Sequence, residues 1–263
     1  MKIFGIVNVT EDSFSDGGKY LAPDAAIEHA RRLADDGADV LDLGAASSNP
    51  DAKAVSSDLE IARLAPVIAA LMRDALTISI DSFSSEVQRW ALAQNVAYLN
   101  DVRGFSDPRT YPVLAASPAK LVVMHSVQAQ GRATQIRVAP EEIFGRCLAF
   151  FEQRVTALIH AGVARTRLIL DPGMGFFLSS DPAASLEVLR NIPELKRAFD
   201  LPVLISVSRK SFLRKLAGCS VAEAGPATLA AEIFAVLQGT DYIRSHEPRP
   251  LKDALTIWSA LAG

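Results

Sequence analysis

The chain is 263 residues long, 49% hydrophobic and 22% charged, apolar enough to bury a large core and too apolar for a disordered segment. A formal net charge of −3 with no basic run excludes nucleic acid or an anionic membrane as the main partner, so any anion must be caught locally. The two cysteines, Cys147 and Cys219, match neither a disulfide framework nor a metal spacing and read as buried free thiols, while the apolar run Ile3 to Val9 is too short for a secretory core or a membrane span, which predicts a cytoplasmic protein.

Short apolar runs follow one another along the chain at Ile3–Val9, Val40–Leu43, Thr77–Ile80, Ala97–Leu99, Leu121–Met124, Leu168–Leu170, Val203–Val207 and Tyr242–Ile243. Between them lie stretches with helical spacing: Ala25–Asp35, Leu59–Met72, Glu86–Gln94, Ile143–Ala161, Ala184–Phe199 and Ala227–Gln238, with a last helix at Leu251–Leu261. Asp24 and Ser57 stand where N-caps belong, and Gly37, Gly162 and Gly239 where helices should end. The runs are too uniformly apolar for half-exposed antiparallel strands and read as a parallel sheet covered by helices. Eight such units predict an α/β fold, a (β/α)₈ TIM barrel in one domain over residues 1–263, with an open doubly wound sheet as the alternative.

In such a barrel the chemistry sits where the strands end. Nearly every predicted strand here closes on a polar residue: Asn8, Asp42, Asp81, Asn100 with Asp101, His125, Asp171, Ser206, then Ser208-Arg209-Lys210, and Arg244 with His246. Turn chemistry alone also favours Asn, Asp and Ser at single strand ends, but their concentration on one rim points to a site. Asp81, Asn100 and Asp171 suit the edge of a flat heterocycle rich in N–H donors, because carboxylates accept while an amide donates and accepts. Lys210, Arg244 and His246 fall after strands seven and eight, where barrels hold phosphate, and Asn8 could complete an Mg²⁺-bridged pyrophosphate site. Lys210 is also open to a Schiff-base role. His125 reads as a supporting residue, and His29 and His160, on helices, as surface or hydrogen-bond-satisfied residues. The loops Thr10–Tyr20 and Ala45–Val55, rich in glycine, serine and proline, read as mobile lids or as ordinary solvent loops.

The segments Gly-Ile-Val-Asn8-Val-Thr-Glu-Asp-Ser-Phe-Ser-Asp-Gly-Gly, Ser-Ile-Asp81-Ser, Asn100-Asp101, Met124-His125, Asp171-Pro-Gly-Met-Gly-Phe, Ser208-Arg-Lys-Ser211 and Arg244-Ser-His246 together resemble the dihydropteroate synthases, in the same order from Gly5 to His246. The resemblance implies the condensation of 6-hydroxymethyl-7,8-dihydropterin pyrophosphate with p-aminobenzoate to give 7,8-dihydropteroate and pyrophosphate, with Mg²⁺ as cofactor and a homodimer as the assembly. It implies that Asp81, Asn100, Met124, Asp171 and Lys210 hold the pterin, and that Asn8, Arg244 and His246 hold pyrophosphate, with Asn8 on the metal. Ser48, Pro50, Phe176 and Ser211 would border p-aminobenzoate. Asp81, Asp171, Lys210, Arg244 and His246 are the catalytic set so implied.

Two segments depart from the family's usual form. The second loop usually reads Glu-Ser-Thr-Arg-Pro and here reads Ala46-Ser-Ser48-Asn-Pro50, losing a carboxylate and a guanidinium. The usual Asp-Pro-Gly-x-Gly-Phe-Gly-Lys becomes Asp171-Pro-Gly-Met-Gly-Phe176-Phe177-Leu178, with an aromatic ring in place of glycine. These changes resemble the sulfonamide-insensitive, Sul-type branch. A second ring at Phe177 could obstruct a drug's out-of-plane tail and spare the short, flat substrate; packing under the loop is the alternative.

Overall fold

The computed structural model describes residues 1–9, 23–46, 55–128 and 136–262. The first of the two loops read as lids, most of the second, and with it Ser48 and Pro50, lie outside the described residues.

Eight strands form the centre: β1 (Lys2–Asn8), β2 (Val40–Gly44), β3 (Ile78–Asp81), β4 (Tyr98–Asp101), β5 (Lys120–Met124), β6 (Leu168–Asp171), β7 (Leu204–Ile205) and β8 (Tyr242–Ser245). All neighbours are parallel, in the order β6-β5-β4-β3-β2-β1-β8-β7. The two ends of that order meet, because Leu170 pairs with Val203 and its N–H donates to the Pro202 carbonyl at 2.8 Å. The sheet is therefore a closed (β/α)₈ barrel, and an open doubly wound sheet, whose outer strands never meet, is ruled out.

The helices are α1 (Pro23–Asp35), α2 (Ser57–Arg73), α3 (Ser85–Ala93), α4 (Tyr111–Ala116), α5 (Pro140–His160), α6 (Pro182–Arg190), α7 (Ile192–Phe199), α8 (Ser211–Ala217), α9 (Gly225–Leu237) and α10 (Pro248–Ala262). Gly37, Gly162 and Gly239 follow α1, α5 and α9 with φ of +98°, +93° and +87°, the left-handed stop that the sequence predicts. Several expectations need correction. Ser56, not Ser57, caps α2 by accepting the Leu59 N–H, and Asp24 lies within the first turn of α1, which Pro23 opens. The single helix expected over Ala184–Phe199 breaks at Asn191, because Pro193 has no N–H to continue the ladder. Helices α4 and α8, six and seven residues long, are too short to show a helical period in the sequence. Cys147 is a buried free thiol as expected, whereas Cys219 is only half-buried.

The barrel interior obeys the two-residue period of a strand. Phe4, Val40, Tyr98, Val122, Ile169, Leu204 and Tyr242 form one buried apolar plug, with the Phe4, Tyr98 and Tyr242 rings edge to face at centroid distances of 5.1, 5.6 and 6.5 Å. Two residues further along six of those strands come Asp42, Asn100, Met124, Asp171, Ser206 and Arg244. The same alternation that builds an apolar floor therefore builds a ring above it that is polar at every one of these positions but Met124. No helix among the described residues is long and apolar enough to cross a membrane.

Candidate active site

Above the plug lies a cavity, partly open to solvent, whose wall includes Asp81, Asn100, Met124, Asp171, Phe177, Lys210 and Arg244. Seven residues singled out from the sequence thus meet in one place. Each is delivered by local chain geometry. Gly173 adopts φ +74°, and a Cβ there would lie 2.4 Å from the His125 carbonyl oxygen, so only glycine permits the turn that aims Asp171 inward. That turn is fastened from three sides. The His125 N–H donates to the Asp171 carbonyl at 2.7 Å, the Gly173 N–H donates to Asp171 Oδ1 at 2.8 Å, and His125 Nδ1 lies 3.0 Å from the Pro172 carbonyl. After β7, Arg209 takes the left-handed conformation at φ +58° and its N–H donates to Thr228 Oγ1 at 3.0 Å. The reversal sends Lys210 into the cavity and leaves Arg209 outside, 3.3 Å from Glu247.

The centre is a charge network. Arg244 on β8 donates through Nε to Asp42 Oδ2 at 2.5 Å and through Nη2 to Asp81 Oδ2 at 2.8 Å. Asn100 Nδ2 donates to the same Asp42 oxygen at 3.3 Å. Burial pushes the Asp171 carboxyl up to about 6, against the Gly173 N–H and the charges of Lys210 and Arg244. Asp81 is raised to about 7, first by burial and then by the like charges of Asp42 and Asp101, with Arg244 and Lys210 opposing. Lys210 falls to about 8 through burial and the neighbouring Arg244 guanidinium, with Asp171 and Asp81 opposing. Burial alone would lower Arg244, yet Asp42 and Asp81 hold it above the usual range. Acids raised and a lysine lowered toward neutrality mark a functional cleft.

The other expected residues take different places. Phe177 is buried in the cavity wall against Val102 and Met124, whereas Phe176 is half-buried outside it, its carbonyl accepting from Gln128 Nε2 at 3.0 Å. Ser211 opens α8, and its Oγ lies 3.6 Å from where a Cβ on Gly175 would stand. His246 does not reach the wall. Its Nδ1 lies 2.9 Å from Ser208 Oγ, and its ring borders a separate crevice with His29, Arg32, Arg209 and Arg249. Burial and the nearby Arg209 bring His246 down to about 3, so it is neutral at physiological pH. Asn8 is exposed at the end of β1. Asp101 is committed elsewhere, accepting from the Arg103 and Phe105 N–H groups and from Gln88.

Two buried carboxyls carry more of the site than the sequence reading assigned. Asp42, named from the sequence only as a strand-closing residue, is the shared partner of Arg244 and Asn100, and its place two residues beyond Val40 is the signal that it faces the barrel interior. Glu60, from α2, lines the cavity and accepts from Ser82 Oγ at 2.9 Å. Nothing in its helical context marks it beforehand.

Comparison with known proteins bears on this geometry. The family described as pterin binding enzyme matches residues 4–246. A dihydropteroate synthase type-2 of Escherichia coli is 59% identical over 98% of this chain and 95% of its own length. A Xanthomonas albilineans dihydropteroate synthase solved with 4-aminobenzoic acid superposes with a TM-score of 0.90 at 34% identity, covering 100% of this chain and 93% of that one. The same enzyme in complex with 7,8-dihydropteroate gives 0.85 at 32% identity, over 100% and 94%. With the matched family spanning the whole barrel and the polar ring inside it, the chain belongs to the dihydropteroate synthases, transferases of the pterin-binding enzyme family.

Proposed function

We propose that this chain condenses 6-hydroxymethyl-7,8-dihydropterin pyrophosphate with p-aminobenzoate, releasing pyrophosphate and giving 7,8-dihydropteroate, and that it does so in a sulfonamide-insensitive form. The observation that carries the reading is the meeting of acceptors and cations in one cavity. Asp171, Asp81 and Asn100 line it and offer acceptors for the N–H groups of a pterin, and Lys210 and Arg244 stand beside them. Asn100 Oδ1 is buried with no partner among the described residues, which suits an acceptor awaiting a ring N–H.

If pyrophosphate leaves first, positive charge develops on the pterin methylene, where Asp81 and Asp171 stabilise it, while Arg244 neutralises the departing anion. The arylamine then forms the C–N bond and loses one proton; positioning supplies most of the acceleration. Failure to trap any cation-like intermediate, with no pyrophosphate exchange, would exclude this order. Asn8 offers one exposed amide oxygen, and no cluster of three or more His, Cys, Asp or Glu among the described residues is arranged to hold a metal. That donor set fits Mg²⁺, which accepts few protein ligands and takes the rest from phosphate and water. When bound, the ion would neutralise charge on the leaving group.

Phe177, where relatives of the usual form carry glycine, supports the drug-insensitive branch, as does 59% identity to the type-2 enzyme against 34% to the Xanthomonas one. The homodimer is supported by exposed Phe234 and Leu237 on α9 and Ile257, Trp258 and Leu261 on α10, adjacent helices with apolar surface to cover. Dihydropteroate formation with Mg²⁺, measured with and without a sulfonamide, tests both halves. Undiminished turnover in the drug supports them, ordinary inhibition removes the insensitivity, and no product removes the catalytic reading.

A further inference from the structure

Asp42 is fully buried and takes no part in the cavity wall, so it cannot meet a substrate directly. Its one oxygen Oδ2 nevertheless accepts from both Arg244 Nε and Asn100 Nδ2, at 2.5 and 3.3 Å. We propose that Asp42 is a positioning residue that orients the two halves of the site together, aiming the Arg244 guanidinium at the leaving anion and fixing which end of the Asn100 amide reads the pterin. The proposal rests on the catalytic reading above.

The chemistry of the donors makes the assignment. A carboxylate can only accept, so Asn100 must turn its NH₂ toward Asp42, and its oxygen is then the atom left for the ligand. That oxygen, Oδ1, is the one buried without a partner among the described residues. For Arg244, Nε is held by Asp42 and Nη2 by Asp81, which fixes the guanidinium plane in two directions. Nη1 has no protein partner among the described residues and is left for the anion. Asp42 Oδ1 is itself buried and unpartnered among the described residues, a cost that packing alone gives no reason to keep.

Asp42→Asn tests this directly. The neutral amide at position 42 can still accept through its one oxygen but lacks the charge that holds both donors on Asp42 Oδ2, so Asn100 is free to turn and present an NH₂ to the cavity where the pterin needs an acceptor. Titration with 6-hydroxymethylpterin, which carries no pyrophosphate, should show a Kd raised about tenfold, and turnover should fall on the order of a hundredfold with the KM for p-aminobenzoate unchanged. Asp42→Ser, smaller and able to accept, serves where the asparagine variant does not fold; it should regain part of the pterin affinity and none of the lost turnover. In a double-mutant cycle, Asp42→Asn added to Arg244→Lys should cost little more turnover than Arg244→Lys alone. Wild-type pterin affinity and turnover in Asp42→Asn, or fully multiplicative losses in the cycle, would overturn the proposal. A wild-type enzyme that makes no dihydropteroate overturns the catalytic reading instead, and the pterin titration still reads Asp42.

Discussion

Lys210 Nζ lies 5.0 Å from the centroid of the Phe177 ring, so the aromatic residue that departs from the family's usual form rests on the lysine assigned to the pterin. Phe177 is therefore tied into the wall and is not a free ring at its mouth. If the p-aminobenzoate region lies where the resemblance implies, beside Ser211, an aromatic ring fixed beside the preceding Lys210 would narrow it. Replacing Phe177 by Gly should strengthen sulfonamide inhibition by about tenfold or more, since filling or emptying an apolar pocket discriminates on that scale. The same change releases Lys210 and should raise the KM for the pterin several-fold. Dose–response curves of the variant and wild type give the comparison, and unchanged insensitivity would sink the role assigned to the ring.

Gly173 and Gly145 make opposite predictions for one substitution. A Cβ on Gly173 would lie 2.4 Å from the His125 carbonyl oxygen at φ +74°, so Gly173→Ala must displace the turn that carries Asp171. Pterin affinity should fall ten- to a hundredfold, read by titration. Gly145 sits in the interior of α5 with nothing within 4 Å of its Cβ position. Gly145→Ala should leave turnover alone and stabilise the protein by about 0.5–1 kcal/mol, read as a higher Tm.

The strand ends were legible because the period of a β-strand is short and rigid. Val40, Tyr98, Ile169 and Tyr242 read as apolar from the sequence, and the polar residue two places on must then face the same side as its plug residue. Less legible was everything set by a turn or by side-chain reach. His246 ends the same Arg-x-His segment as Arg244, yet the strand alternation that turns Arg244 into the barrel turns Ser245 away, and His246 follows Ser208 into another crevice. Glu60 enters the cavity from a helix whose pattern shows only that one face is buried. The sharing of Asp42 between Arg244 and Asn100 spans 202 and 58 positions of sequence, and only barrel closure brings those residues together.

The pH dependence of turnover should be bell-shaped and narrow. Asp171 and Asp81 are pushed up to about 6 and about 7, and Lys210 down to about 8. For the free enzyme, kcat/KM should rise through roughly pH 6–7 as the coupled carboxyls ionise, and fall near pH 8 as Lys210 loses its proton. Lys210→Arg carries a charge that does not titrate in this range and should shift the falling limb upward, whatever its absolute rate. A falling limb that stays in place would assign it to another group.

Glu232 is outside the cavity and makes the last prediction. It is buried on α9, one carboxyl oxygen has no partner among the described residues, and its pKa is raised to about 7 by burial, with Ser245 opposing and Glu247 adding. A folded-state pKa above the unfolded one means the native chain binds the proton more tightly. The resulting stabilisation is complete below the unfolded value of 4.5 and is lost as pH rises through about 7. The Tm of the wild type should therefore decline between about pH 5 and 8, through a loss on the order of 2–3 kcal/mol. Glu232→Gln, neutral throughout, should remove the share of that slope that Glu232 contributes, leaving the share that the raised Asp81 and Asp171 add, and be the more stable protein at pH 8, with pterin affinity unchanged. Parallel Tm profiles for the two proteins would show that Glu232 titrates alike in both states, and would reject the buried, protonated carboxyl.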